Sequence, residues 1–224
     1  MTPARLPRLA LAGLLGLAVA VAAGPGAAPA TAAAAKKKPR SACQKLAQRH
    51  KDLARSAKLV TVVRGDEETG RISACVLPRG KVRTLASWDD GLMRDWANVT
   101  ATAGLWVLVE EGHGDQYGGV SRSLTRHHVR SGRRLHLSGY GCQIGWDAPT
   151  CPDGSNFGDV VLASSGAGAY ELTDLAAATT ALQAFNPAGA FTKLADGPVE
   201  GLRLAGPQIA WTQGGVAYTA PLPG

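Results

Sequence analysis

TATAGLWVLVEEG at residues 100–112 and LRLAGPQIAWTQGG at residues 202–215 are two versions of one phrase: a short alternating run, a glycine, and a second apolar run that carries an indole. Glycine between two such runs supplies the positive φ of a tight turn, so each copy reads as two strands meeting. Outward from these phrases the same rhythm fills the chain beyond Lys58. LVTVVRG (59–65), RISACVLP (71–78), KVRTLAS (81–87) and NVTATAG (98–104) make a first set of four strands. LWVLVEE (105–111), SLTRHHVR (123–130), RLHL (134–137) and DVVLAS (159–164) make a second, and residues 167–173, 180–185, 191–195 and 201–205 a third. QIAWT (208–212) and VAYTAP (216–221) begin another. DEETG (66–70) and PRG (78–80) have hairpin-turn chemistry, and VRTLAS, RRLHLS and FTKLAD close the third strand of each set. The expected fold is all-β, in antiparallel four-stranded units of about 40 residues.

On these phrases the chain resembles a β-propeller, and in particular uncharacterised propeller-type proteins secreted by high-GC Gram-positive bacteria, over residues 59–221. The resemblance implies a small propeller-like array of four-stranded antiparallel blades, about three and a half of them visible. Trp88-Asp89 and Trp146-Asp147 supply the WD dipeptide, but Gly112-His113 falls in a hairpin loop rather than between units. An open arc of blades leaves strand edges unpaired. The segment near His50 to Ala57 is therefore expected to complete the last blade beside Val216–Pro221. The competing architecture is a β-sandwich or open barrel of the same strands.

The start of the chain has a different composition. Arg5 and Arg8 precede an uncharged apolar run over 9–23, which ends at Gly24-Pro25-Gly26 before a small-residue stretch. Residues 1–35 read as a cleaved secretory signal, which leaves no membrane span and places the mature chain outside the cell, secreted or associated with the wall. Residues 36–57 form a basic leader (KKKPR, 36–40) and an N-terminal segment. There Leu46, Ala47, His50, Leu53, Ala54 and Ala57 fit a helix, although a sheet edge is the other reading. Residues 58–224 form the β domain. The net charge of +7 sits at the front of the chain: without Arg5, Arg8, Lys36, Lys37, Lys38 and Arg40, 18 basic residues face 17 acidic ones. A near-neutral body excludes a general nucleic-acid surface, and Arg122, Arg126, Arg130, Arg133 and Arg134 read as a solvated strand face. Four cysteines in an exported chain imply two disulfides. Cys142 and Cys151 enclose a short turn-rich loop, so they are expected to pair locally and leave Cys43 to Cys75.

Chemistry-bearing residues are sparse. No G-x-S-x-G motif occurs, and no cysteine or histidine spacing suits zinc. His127 and His128 are adjacent on a strand, so only one of them shares a face with His136. Residues 153–159 resemble a calcium loop but lack the bidentate glutamate. No cofactor or metal is expected. EEGHGDQYGG (110–119) is the best binding rim, with Glu110, Glu111, His113 and Asp115, and Trp146 on the 142–151 loop is a further platform. Of the other tryptophans, Trp106 and Trp211 occupy equivalent places and read as core. The expected function is an extracellular or wall-associated binding or scaffolding module without catalysis, its partner a wall polymer or protein. The alternative is a secreted glycosidase-like hydrolase using the acids of the 110–115 loop.

Overall fold

The computed structural model describes residues 40–49, 58–65, 69–89, 95–114, 120–142, 157–174 and 177–224. Residues 1–35 expected as a signal, the lysines at 36–38, the segment 50–57 expected to complete the last blade, Asp115, Trp146 and Cys151 lie outside these residues. One short helix, α1 (Ala42–Arg49), precedes fourteen strands. Its start is a capping box: the Gln44 N–H donates to Ser41 Oγ at 3.1 Å, and the Ser41 N–H donates to Gln44 Oε1 at 2.9 Å. The 42–49 stretch thus takes the helical reading.

The strands form four antiparallel sheets. The first holds β1 (Leu59–Gly65), β2 (Thr69–Val76) and β3 (Arg83–Asp89). The second holds β4 (Trp96–Ala103), β5 (Trp106–Gly114), β6 (Val120–His128) and β7 (Arg133–Cys142). The third holds β8 (Phe157–Leu162), β9 (Gly168–Asp174), β10 (Thr179–Phe185) and β11 (Phe191–Asp196). The fourth holds β12 (Glu200–Ala205), β13 (Gln208–Gln213) and β14 (Val216–Pro221). Each is a meander in chain order, so the all-β array of three- and four-stranded sheets agrees with the class expected from sequence, and among the described residues no closed barrel forms.

The grouping of strands differs from the sequence expectation by one strand. NVTATAG opens the second sheet rather than closing the first, and the sets run three, four, four and three. The cause is turn length. Ala103 pairs with Trp106, and Ala205 pairs with Gln208, each across a two-residue turn whose first member, Gly104 or Gly206, has φ near +60° (58° and 62°). With Pro207 in second place the turn is of the II′ kind, which joins neighbours in one sheet. The two matching phrases are therefore the first hairpin of a sheet in both places, not the passage between units.

Side chains alternate across each strand, and three of the four sheets bury apolar residues on both faces. Ile72, Ala74, Leu85, Val107 and Val109 fill the layer between the first and second sheets. Leu108, Leu124, Tyr170 and Phe185 fill the next, and Leu182, Ile209 and Trp211 the last. Between sheets, β8 meets β4 and β12, and β4 also meets β2 and β3. Outside the first sheet, Cys43 and Leu46 of α1 cover Val60 and Val62, and the Cys43–Cys75 disulfide fixes the helix there. Among the described residues no apolar layer joins the first sheet to the last, and no helix is long and apolar enough to cross a membrane.

Candidate functional site

The rim expected from sequence is divided by the pleat. Glu110 and Glu111 are neighbours on β5 and point to opposite faces. Glu110 is buried on the face toward the third sheet and meets Arg122 at 3.6 Å, while the Arg122 guanidinium lies 5.1 Å from the centre of the Trp96 ring. Glu111 lies on the other face, as does His113, whose Nδ1 is 3.2 Å from Asp95. The two glutamates do not face one another across a cleft. Cys142 ends β7, but its expected partner Cys151 lies outside the described residues, as do Asp115 and Trp146.

The arginine run also splits. Arg122 pairs with Glu110, and Arg126 is fully buried between the second and third sheets. Its guanidinium donates to the carbonyls of Gly166, of Asn186 at 3.1 Å and of Pro187 at 2.7 Å. The Trp106 and Phe185 rings flank it at 4.7 and 5.4 Å. Burial first, and then the charge of Arg133, lower its pKa from the ordinary arginine value. Carbonyl acceptors and aromatic faces replace a counter-ion here, and each cation–π contact is worth about 0.5–2 kcal/mol. This arginine clamps two sheets together and takes no part in a ligand surface. Arg130, Arg133 and Arg134 remain exposed.

The tryptophans have structural places. Trp211 is core, and Trp106 packs against Gly166, where a Cβ would lie 2.6 Å from the indole. Trp88 and Trp96 cover their cross-strand glycines, Gly70 and Gly112. His127 and His128 fall on opposite faces as alternation requires, His127 buried and His128 bonded at 2.7 Å to Ser131. Among the described residues no three histidine, cysteine or acidic side chains gather as a metal site.

One concave feature among the described residues is not announced by the sequence. On the outer face of the first sheet, β1–β2–β3 register aligns Val60 with Cys75, Val62 with Ser73 and Thr84, Arg64 with Arg71 and Ser87, and Thr69 with Asp89. α1 covers the apolar end of this face. What it leaves open is a groove of about 600 Å³ with Leu46 as its wall and Arg71, Ser73, Thr84, Ser87 and Asp89 along it. Hydroxyls, guanidinium and carboxylate offer donors and acceptors on one strip, and the strip lacks a nucleophile–base pair. Only the combination of strand register and a short helix creates it, so no motif marks it in the chain.

No protein-family model, no curated protein and no solved structure matches this chain.

Proposed function

We propose that the mature chain is an exported binding module without catalysis, and that the groove on the first sheet receives a hydroxyl-rich extracellular polymer, a glycan of the cell wall. The observation that carries this reading is the open strip of Arg71, Ser73, Thr84, Ser87 and Asp89 beside α1. A shallow strand surface that carries hydroxyl, guanidinium and carboxylate groups beside Leu46 and Trp88 suits a ligand recognised by several hydrogen bonds with some apolar contact. The signal-like residues 1–35 and the Cys43–Cys75 bridge support export, because disulfides persist in oxidising compartments. The opposed directions of Glu110 and Glu111 weigh against the glycosidase alternative, which needs two carboxylates facing across a bond.

The test is retention of the secreted chain on insoluble cell-wall glycan. Arg71→Ala with Ser87→Val removes exposed side chains from the groove and is expected to weaken retention about tenfold with an unchanged melting temperature. Equal retention of that variant would remove the groove from the argument. Failure of the unaltered chain to be retained would remove the binding reading itself.

A further inference from the structure

Two turns that are 50 residues apart in sequence meet at one end of the first two sheets: residues 77–82, between β2 and β3, and residues 129–132, between β6 and β7. Arg83 holds them together. Its Nε donates to the Val129 carbonyl at 2.7 Å, and one terminal nitrogen donates to the Arg130 carbonyl at 3.0 Å. Gly132 permits this approach, since φ is +79° and a Cβ there would lie 2.4 Å from the Arg83 guanidinium. The two turns thus form one rigid rim.

Between them lies a cleft of about 270 Å³, with Arg79, Lys81 and Arg130 at its edge and Val76, Leu77 and Val129 in its floor. No acid lines it. Arg79, Lys81 and Arg130 are exposed, and the ion pairs among the described residues, His113–Asp95, Arg122–Glu110 and Lys193–Asp196, include none of them. Arg83 adds a further positive charge whose partners are carbonyls. In a body with 18 basic and 17 acidic residues, this convergence is local rather than a reflection of net charge. Cations held over an apolar floor repel one another, and an anion between them relieves that repulsion.

We propose that this cleft binds a phosphodiester group carried on a soluble polymer. Two guanidiniums and an ammonium can surround the non-bridging oxygens of one phosphate, the arginines as forks and the lysine as a point charge. The aliphatic floor takes the carbon chain on either side of the phosphate, a surface that a bare oxyanion would leave unused. A bilayer headgroup carries the same chemistry, but membrane-surface binding pairs cations with apolar side chains that insert. Among the described residues the exposed large apolar ones, Val63, Phe191, Val216 and Tyr218, are all absent from the cleft. The site shares no residue with the groove on the first sheet and stands or falls separately from it.

Calorimetric titration of the full secreted chain with a short poly(glycerol phosphate) oligomer tests the proposal, with phosphatidylglycerol vesicles as a second titrant. Binding to the oligomer is expected, weakening as salt rises. Arg79→Ala, Lys81→Ala and Arg130→Ala are each expected to weaken it about tenfold, while Lys81→Arg retains most of it. Arg203→Ala, which removes the same charge from the exposed surface of β12, is expected to bind as the unaltered chain does. A triple variant of Arg79, Lys81 and Arg130 that melts normally yet binds undiminished would overturn the site. So would an equal loss in Arg203→Ala, which would make net charge the cause. Binding to vesicles without binding to the oligomer would overturn the polymer assignment.

Discussion

His127 shows how much a single position depends on its neighbours. It sits on the buried face of β6 opposite Arg134, and burial first, then that positive charge, lower its pKa to about 4. The folded protein therefore binds this proton later than the unfolded chain, whose histidine titrates near 6.5. Stability from this residue is fully present above about pH 6.5, declines as pH falls toward about 4, and is lost below that; the total is about 3 kcal/mol. Urea unfolding at pH 7.5 and 4.5 should show a smaller difference for His127→Gln than for the unaltered chain. Identical differences would place the pH dependence elsewhere. Alternation already separated His127 from His128 in the sequence, but that His127 lies on the face toward the first sheet followed only from how the sheets pack. The same limit held at Glu110 and Glu111: their opposition was legible, and the Arg122 that pairs with Glu110, with the Trp96 ring beside its guanidinium, was not.

At the scale of elements, α1 is too short to persist by propensity alone, since isolated helices below about 12–15 residues are marginal in water. It is held by its capping box, by Leu46 on Val60 and Val62, and by the Cys43–Cys75 bridge across a sequence separation of 32. Closing a loop of that size in the unfolded chain is worth about 3–4 kcal/mol in the chain-entropy model. Reduction is expected to lower the unfolding free energy by about that amount and to raise the binding of a hydrophobic dye as Val60 and Val62 are uncovered. Melting curves that superimpose with and without reductant would contradict it. Strand identity was read from alternation and turn residues, and each of the fourteen strands contains or overlaps a run named from sequence. Their partition into sheets was misread by one strand because a two-residue turn at Gly104 and a multi-residue passage after Asp89 look alike when only the glycines and apolar runs are counted.

Among the described residues the sheets form a succession of layers in which each packs on the next, so stability is shared between neighbours and declines where a neighbour is missing. The last sheet has one apolar face against the third, and β14 is exposed along most of its length. Native-state hydrogen exchange should therefore be slowest in β5, β6, β9 and β10, which have a ladder partner on each side and lie in sheets packed on both faces, and fastest among the strands in β14. Protection in β14 equal to that in β5 would mean that this edge is covered in solution. Charge is also organised at this scale. Arg79 and Lys81 belong to one hairpin and Arg130 to another, and nothing in either turn by itself suggests an anion.

Period-two alternation and turn glycines are local properties, and from them the chain alone determined its all-β class and its run of strands; Cys43–Cys75 was the pairing left over by an expected local Cys142–Cys151 bridge, and the structure contains it. The groove beside α1, the Arg126 clamp and the cleft beneath Arg79 and Arg130 were decided by tertiary structure. Each depends on which surfaces meet across dozens of residues, and that is set by the packing of apolar faces against one another. Strand periodicity records only that a face is apolar, not which other face it will cover.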